Sequence, residues 1–375
     1  MRKTYKFRLY PTTKQKKALQ SSLDACRWTY NKTLETRKQA WEERKGSLSR
    51  YETSNLLTQW KQDNPSLDNA YSQCLQNVTM RVDLAFRAFF RRVKAGETPG
   101  YPRFRSFDRY DSFTFPQSGF SVVDDRLKLS KIGSIKIKKH REIEGGIKTL
   151  TIRRTNDKWY ASFSCEVELK PLPTVDKVVG VDVGLASFAT LSTGKKIDNP
   201  RFFKSGEKKL AKAQRRLSKA EKGTPDRKKQ HKKVSCIHEN ISNRRTDFAH
   251  KLSLYLVGMF QVIIFEKLNI MDMMGNKIKC FGHKLNKSIN DVAWNQFTQF
   301  IIYKAECAGR TVVFVNPCNT SKMCSRCGRI VEKTLADRVH RCSCGLVLDR
   351  DENAAINILS LGLQGLGFAP RSRLL

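Results

Sequence analysis

The sequence lacks several features that define large classes of proteins. None of its 375 residues belongs to an apolar run of about 18 residues, the length that a helix needs to cross a bilayer. Its first residues, MRKTYKFRLYP, lack the apolar segment of a secretory signal peptide. Acidic residues are few, with 35 Asp and Glu against 71 Lys and Arg. We therefore expect a cytoplasmic protein that has no membrane partner.

The excess of basic residues predicts a polyanionic partner. A formal charge of +36 is far larger than solubility requires, and it destabilises a compact chain unless a polyanion neutralises it. Nucleic acid is the natural polyanion for such a chain. The length of 375 residues is sufficient for two or three domains, each with its own core.

The first half of the chain alternates between strand and helix patterns. Residues 3–9 alternate polar and apolar side chains with a period of two, and the same period returns from about residue 113 to about residue 169. Helical patterns lie between these segments, and the clearest covers about residues 72 to 95. We expect the first strand to join the later ones in a small β-barrel, with the helices as an insertion.

The second half of the chain has an α/β pattern. After PLP at 171–173, the runs VVGVDVG, ASFATL and VIIFE predict buried strands, separated by a long basic helical region. The Gly- and Lys-rich segment of residues 270–288 is expected to be a mobile loop. The stretch after Ile358 is expected to be a short flexible tail.

Four carboxylates stand where an α/β fold places functional groups. Asp182 lies within a run of Val and Gly, where an unpaired charge is costly. Glu266 ends a strand, and ligands of open α/β sheets gather at carboxyl ends of strands. Asp349 and Glu352 have capping-box spacing, so Asp351 falls in a first helical turn. Each has a structural alternative: a turn hydrogen bond for Asp182, solvation for Glu266, and the helix dipole for Asp351.

Several carboxylates delivered from strand ends and one helix start suit a site for divalent metals. Mg²⁺ prefers oxygen ligands and keeps some of its waters, which leaves coordination positions for phosphate oxygens. Two such ions activate a water and stabilise the leaving oxygen in phosphodiester hydrolysis. The spacing alone leaves open whether the carboxylates converge.

Eight stretches of the sequence, in order, resemble TnpB, the transposon-encoded RNA-guided nuclease family related to type V CRISPR effectors. VGVDVG, IIFEKLN and LDRDENAAINI match the three RuvC-like motifs of that family. The other five stretches are GYPRF, KKLAKAQRRLSKAEKG, NRRTDFAHKLS, YKAECAGR and TSKMCSRCG. The resemblance implies catalysis by Asp182, Glu266 and Asp351 with two Mg²⁺ ions, while Asp349 serves as a helix cap or a supporting group.

The resemblance also implies an architecture, an α/β fold plus a β-barrel. An RNase H-like (RuvC) nuclease domain with an inserted zinc ribbon follows a wedge β-barrel that carries a helical recognition insertion. The expected boundaries are 1–10 for the first barrel strand, 11–112 for the helical lobe, 113–172 for the remaining barrel, 173–317 for the first part of the nuclease domain, 318–346 for the zinc insertion and 347–375 for the nuclease end and tail.

The cysteine pattern predicts a structural zinc site. The chain has 11 cysteines, an odd number, and five of them lie between Cys318 and Cys344, so a disulfide framework is not expected. Cys324 and Cys327, then Cys342 and Cys344, approach the pattern of a four-cysteine zinc ribbon, whose thiolates select Zn²⁺. The second pair is C-x-C where the family usually has C-x-x-C, which leaves Cys318 or His340 as conceivable replacements.

Basic and polar side chains predict the nucleic-acid contacts. Residues 204–245 contain fifteen Lys and Arg against four acidic residues, although a solvated helix face is the alternative explanation. By resemblance, the amino-terminal lobe reads a short motif beside the target, and Gln76 matches a position used for it. The predicted contact residues are Gln76, Arg103, Lys208, Lys212, Arg215, Arg216, Arg244 and Arg245.

The expected function is RNA-guided DNA cleavage. The partners are a structured guide RNA from the transposon end and a double-stranded DNA target, bound by a monomer with its RNA near a prokaryotic nucleoid. One alternative is a guide-directed repressor that binds DNA without cutting it. Another is a transposase accessory protein that binds DNA and zinc, although no tyrosine or serine nucleophile motif supports strand transfer.

Overall fold

The computed structural model describes residues 1–269, 273, 282–334 and 336–367. The chain divides into two compact units, Met1–Glu168 and Leu169–Leu375, which we call the amino-terminal and carboxyl-terminal units. No helix in the described residues is long and apolar enough to cross a membrane.

The amino-terminal unit contains one seven-stranded antiparallel sheet. Its order is β2-β6-β7-β1-β5-β4-β3, so the first strand lies in the middle of the sheet, which confirms that it joins the later strands. The strands are β1 (Arg2–Tyr10), β2 (Ser112–Phe115), β3 (Phe120–Val123), β4 (Arg126–Leu129), β5 (Gly133–Lys138), β6 (Gly146–Thr155) and β7 (Lys158–Glu166).

This sheet curls without closing into a hydrogen-bonded barrel. The strands β2 and β3 are its two edges, and within the described residues no ladder pairs them. The edges nevertheless approach one another, because the rings of Phe115 in β2 and Phe120 in β3 have centroids 6.1 Å apart. The observed architecture is therefore a curled sheet, and the predicted closure is not observed.

The predicted helical insertion lies between β1 and β2. Thr12 begins its first helix in a capping box with Gln15, in which each side chain bonds the backbone N–H of the other residue. Leu19 and Leu75 from these helices share one buried cluster with Phe163 of the sheet. The helices are α1 (Thr13–Arg44), α2 (Arg50–Asp63) and α3 (Ser72–Lys94), and short 3-10 turns cover Pro65–Asn69 and Phe107–Arg109.

The carboxyl-terminal unit contains a five-stranded mixed sheet. Its order is β10-β9-β8-β11-β12; the pairs β10-β9 and β9-β8 are antiparallel, whereas β8-β11 and β11-β12 are parallel. The strands are β8 (Val178–Val183), β9 (Ser187–Leu191), β10 (Lys196–Asp198), β11 (Val262–Glu266) and β12 (Thr311–Val315). The short hairpin strands are β13 (Val339–Arg341) and β14 (Val347–Asp349). The helices are α4 (Phe202–Lys219), α5 (Pro225–Met259), α6 (Gly282–Val292), α7 (Trp294–Ala308) and α8 (Arg350–Gly365).

Helices cover both faces of this sheet. Ile263 and Phe265 share a buried cluster with residues of α5 and α7, whereas Ile264, between them in β11, packs with Ile358 of α8. The helix α8 approaches the sheet closely at Gly180, where a Cβ would lie 2.2 Å from the carbonyl oxygen of Ala355. Glycine is therefore required at this position in β8.

The sequence predicts a mobile loop at residues 270–288 and a flexible tail after Ile358, and the structure bears on each. Most of the predicted mobile loop, residues 270–288, lies outside the described residues, but its end from Gly282 is helical. The prediction of a flexible tail after Ile358 was wrong for its first part, because α8 continues to Gly365. Gly362 of that helix packs against Ile264, which explains why the helix extends further.

Candidate active site and metal centre

Asp182 and Glu266 lie side by side at the carboxyl ends of two parallel strands. The register pairs Val181 of β8 with Phe265 of β11, so the next residues on the two strands are these two carboxylates. Adjacent strands lie about 4.8 Å apart. Because side chains alternate along a strand, both carboxylates project to the face that α8 covers, opposite to Val181 and Phe265.

The start of α8 brings Asp351 to the same face. Asp349 is the N-cap, as predicted, and its Oδ1 accepts the backbone N–H groups of Asp351 at 3.0 Å and of Glu352 at 3.3 Å. The other oxygen of Asp349 lies 2.6 Å from Nζ of Lys196. Burial opposes the charge of Asp349, but these hydrogen bonds outweigh it and lower its pKa. Asp349 is thus occupied by capping the helix.

Glu266 and Asp351 both act electrostatically on Asp182. The pKa of Asp182 is raised well above its usual value, first by burial and then by the negative charges of Glu266 and Asp351. The guanidinium of Arg350 acts in the opposite direction. Its Nε lies 3.0 Å from Oδ1 of Asp351, so the positive charge next to Asp351 in the sequence also contacts it. The site is therefore rich in negative charge, which Arg350 partly offsets at Asp182.

The carboxylate of Glu266 accepts a hydrogen bond from Thr320. Burial raises the pKa of Glu266, and a hydrogen bond from the hydroxyl of Thr320 to its Oε1 partly offsets that rise. Thr320 lies in the segment that leads from β12 to the first cysteine pair. The carboxylate is thus held on one oxygen by a neutral group.

The cysteines, and not the carboxylates, form a compact group of potential metal ligands in the described part of the chain. Among the described residues, the four cysteines are the group of metal-ligating side chains whose ligand atoms all lie within 4.8 Å of one another. Asp182, Glu266 and Asp351 do not form such a group.

The four cysteines converge as the spacing predicts. Sγ of Cys324 lies 3.6 Å from Sγ of Cys344, and Sγ of Cys327 lies 3.5 Å from Sγ of Cys342. Tetrahedral zinc with bonds of about 2.3 Å separates its sulfur ligands by roughly 3.8 Å, so these distances fit the metal.

A glycine closes the turn of each cysteine pair. Gly328 donates its N–H to the carbonyl of Cys324 at 2.9 Å, and Gly345 donates to the carbonyl of Cys342 at 3.0 Å. Both glycines have positive φ, which favours glycine at these positions. The C-x-x-C pair is thus closed by a bond between residues i and i+4, and the shorter C-x-C pair by a tighter bond between residues i and i+3.

Neither conceivable replacement ligand joins the cysteine cluster. His340 is buried in β13, opposite Leu348, and its Nδ1 contacts Nζ of Lys333. Cys318 is exposed and lies outside the group of four. The shortened second pair therefore supplies both of its own thiols.

The predicted nucleic-acid residues fall into two kinds. Gln76 on α3 and Arg103 are exposed, and so are the basic residues of α4. An open groove along α4 is lined by Lys208, Lys212, Arg215 and Arg216. Arg244 is exposed over the ring of Phe202.

Arg245 differs from the other predicted contacts. Its Nη2 lies 2.8 Å from Oδ1 of Asp291, which also accepts the N–H of Phe203. Only 9% of the Asp291 side chain is exposed. The charge of Arg245 is therefore already paired within the fold.

Sequence reasoning missed the groups that hold the carboxylates. Thr320 lies 54 residues from Glu266 in the chain, and Lys196 lies 153 residues from Asp349. No local spacing signals such pairs. Arg350 could be identified from the sequence, because it separates the two aspartates of DRDEN.

Three family profiles match parts of the chain. Residues 162–277 match OrfB_IS605, described as "Probable transposase", and residues 294–358 match the TNB domain of the Cas12f1-like group. Residues 1–46 match a profile described as a helix-turn-helix domain; the structure has β1 and α1 there. The TNB match covers all four clustered cysteines.

Two relatives resemble the chain over nearly its whole length. A protein of Streptomyces pristinaespiralis described as "Putative RNA-guided DNA endonuclease" is 35% identical over 372 residues, which cover 97% of this chain and 90% of that protein. InsQ of Escherichia coli K12, described in the same way, is 30% identical over 374 residues, covering 96% and 92%.

The fold is similar to that of a CRISPR effector. The chain matches the Cas12f1 protein in a complex with sgRNA and target DNA, with a TM-score of 0.58 at 14% identity, covering 96% of this chain and 98% of that one. The curled sheet, the carboxyl-terminal unit and the cysteine cluster thus define a protein with a Cas12-like fold. The relatives show which one it is: the chain belongs to the TnpB family.

Proposed function

We propose that this chain is an RNA-guided DNA endonuclease that hydrolyses phosphodiester bonds with a RuvC-like nuclease domain. One observation carries the proposal: Asp182, Glu266 and Asp351 reach the same face of the sheet from two adjacent strand ends and the start of α8. The names of the two relatives and the complex in which Cas12f1 was solved support the guide RNA and the DNA target.

The three carboxylates would hold Mg²⁺, in keeping with two ions. The fit rests on the donor set, since all the ligands are oxygens, and burial followed by the charges of Glu266 and Asp351 raises the pKa of Asp182. Bound Mg²⁺ supplies activation of a water and stabilisation of the leaving oxygen. The chain itself fixes where the charges stand: β8 and β11 set the separation of Asp182 and Glu266, and Asp349 fixes the helix start that presents Asp351.

Cys324, Cys327, Cys342 and Cys344 would hold a structural zinc. Their sulfur separations and the TNB match support this assignment. The segment from Cys318 to β14 has little apolar core of its own, and four thiolates around one ion would stabilise its turns. The insertion, residues 318–346, ends directly before β14, which leads into α8, so it bears on the position of the third carboxylate.

The exposed basic residues would bind nucleic acid phosphates. Lys208, Lys212, Arg215 and Arg216 line one groove of α4, which suits a backbone contact that is independent of sequence. Pairing with the guide RNA would read the target, Gln76 in the helical lobe of residues 11–112 would contact the adjacent motif, and Arg103 would contact the nucleic-acid backbone. We further propose a monomer with one RNA, acting at the prokaryotic nucleoid.

The test is purification from cells that also carry the flanking transposon end. We expect a discrete RNA to copurify, and the complex to cut matching DNA in the presence of Mg²⁺. Asp182→Ala should abolish cutting and retain the RNA, whereas Asp176→Ala, which removes an exposed carboxylate before β8, should cut normally.

Other outcomes would favour the alternatives. Guide-dependent binding of DNA without cutting would favour a repressor, for which the contact between Arg350 and Asp351 gives a structural reason. Absence of any copurifying RNA would favour a transposase accessory protein.

A further inference from the structure

A threonine hydroxyl contacts Glu266 from the segment before the cysteine cluster. Oγ1 of Thr320 donates to Oε1 of Glu266, and only 3% of the threonine is exposed. The carbonyl oxygen of Pro317 lies 3.2 Å from the same hydroxyl, farther away than the carboxylate. The hydroxyl has one hydrogen to donate, and the carboxylate is the nearer of its two acceptors.

The same segment is held by α8, the helix that presents Asp351. Nδ2 of Asn357 lies 2.8 Å from the carbonyl oxygen of Thr320 and 2.7 Å from that of Met323. Nδ2 of Asn353 also donates to the Met323 carbonyl, at 2.8 Å, and its Oδ1 accepts the N–H of Ser325. Both asparagines are buried. The segment that carries the threonine is therefore fixed to α8 by four hydrogen bonds.

These contacts join two carboxylates from distant parts of the chain. Glu266 ends β11 and can rotate about its side-chain bonds, whereas a hydrogen bond to one oxygen fixes the plane of the carboxylate and leaves the other oxygen available. Groups that hold a ligating carboxylate in this way typically change metal affinity by about 10–100-fold when they are removed. Buried amides and hydroxyls are retained where they satisfy such bonds.

We propose that Thr320 is a positioning residue for Glu266, held by Asn353 and Asn357 so that the carboxylate presents one oxygen to the cation site beside Asp351. The inference rests on the proposed function, because it takes Glu266 as a Mg²⁺ ligand. It goes further in linking the geometry of the carboxylates to the segment that enters the cysteine cluster.

The test compares Thr320→Val with Thr320→Ser in the zinc-loaded, RNA-bound chain. Valine keeps the shape of threonine and lacks the hydroxyl, whereas serine keeps the hydroxyl. Fe²⁺ with ascorbate and peroxide cuts a polypeptide next to the site where the ion binds, so ions on the RNA do not contribute to cuts near Asp182, Glu266 and Asp351. The readout is the Mg²⁺ concentration that halves this cutting, measured without DNA.

We expect this Mg²⁺ concentration to rise by about 10-fold in Thr320→Val and to change less than about 2-fold in Thr320→Ser. Zinc content should remain that of the wild type in both. If Thr320→Val loses zinc or its cooperative unfolding, Thr320→Ala replaces it, because alanine needs no space for a methyl group at the position of the hydroxyl.

Two results in the variants would overturn the inference: a Mg²⁺ requirement in Thr320→Val equal to that of the wild type, or an equal loss in the serine and valine variants. Absence of Fe²⁺ cuts near the carboxylates in the wild type would refute the metal site and the inference with it. If the wild type binds the ions in this way but cuts no DNA, the proposed function fails while the role of Thr320 stands.

Discussion

The cysteine cluster and the carboxylate site are assembled in opposite ways. The cysteines lie in one short segment, residues 324–344, a tight turn closes each pair, and all four sulfurs lie within 4.8 Å of one another. The carboxylates come from residues 182, 266 and 351, and they meet only if β8 pairs with β11 and α8 packs on both. One site therefore depends on local geometry and the other on the packing of the whole carboxyl-terminal unit.

The largest effect is expected from a variant that disrupts the cysteine cluster and leaves the carboxylates in place. Cys342→Ser removes one thiol, and structural zinc sites of this type contribute about 10–16 kcal/mol of binding free energy. We expect zinc to be lost and the insertion to unfold, with DNA cleavage lost as a consequence. Metal content and protease sensitivity between residues 318 and 346 provide the measurement.

Cys318→Ser is the matched control for this change. Cys318 is an exposed cysteine six residues before the cluster and outside it. Zinc content in this variant should equal that of the wild type. A loss of zinc there would mean that Cys318 is a ligand in solution.

A second variant breaks the packing that the carboxylate site requires. In Gly180→Ala the new Cβ would lie 2.2 Å from the carbonyl oxygen of Ala355, so α8 must move away from β8. We expect a loss of stability of about 1–3 kcal/mol and a strong loss of cleavage, with zinc retained. Chemical denaturation, a cleavage assay and metal content measure the three properties.

Gly258→Ala serves as the control, because Gly258 also lies in the carboxyl-terminal unit and its Cβ would meet no atom within 4 Å. Because alanine favours the helix α5, stability should stay the same or rise. If Gly180→Ala were as harmless as Gly258→Ala, the close approach of α8 to β8 would be contradicted.

A third prediction concerns pH and separates charge from packing. The raised pKa of Asp182 means that its carboxyl group stays protonated to higher pH in the folded chain than in the unfolded chain. The free energy of unfolding therefore falls as pH rises from the usual Asp range through the raised pKa. In Mg²⁺-free buffer, unfolding temperatures should therefore fall less between about pH 5 and about pH 8 in Asp182→Asn than in the wild type.

Added Mg²⁺ should reduce the difference between wild type and Asp182→Asn, because a cation compensates the charge that burial disfavours. Zinc content should be the same in both proteins at each pH. An identical pH dependence in the two proteins would show that the pKa of Asp182 is not raised in the folded chain.

The smallest effect distinguishes two aspartates at the start of one helix. Asp349→Ala removes the N-cap of α8 and should cost about 0.5–2 kcal/mol of stability, with cleavage reduced only a few-fold. Asp351→Ala leaves the cap intact and should abolish cleavage. A complete loss of cleavage in both variants, at equal stability, would make Asp349 a ligand as well.

The local parts of this structure could be predicted from the sequence. VVGVDVG and VIIFE gave buried strands because of their apolar runs, and the spacing of Asp349 and Glu352 gave the start of α8. The cysteine pairs were equally clear, since the ligand spacing of a zinc site is a property of short turns.

The long-range contacts could not be predicted in the same way. Arg245 was assigned to nucleic acid from its place in a basic run, and nothing near it in the sequence indicates that Asp291 pairs with it. Nothing near Thr320 in the sequence indicates that it contacts Glu266. The curl of the amino-terminal sheet without closure depends on how the two edge strands approach, which alternation of apolar residues does not determine.

The central place of β1 in its sheet has a consequence for biosynthesis. Arg2 pairs with Glu166 and Tyr10 with Lys136, so β1 pairs with strands that are made more than 120 residues later. Pairings between such remote segments form slowly, because a long loop must close before any contact rewards it. Until then β1 has two open edges, and a nascent chain that stalls in the helical insertion would be prone to aggregate through them.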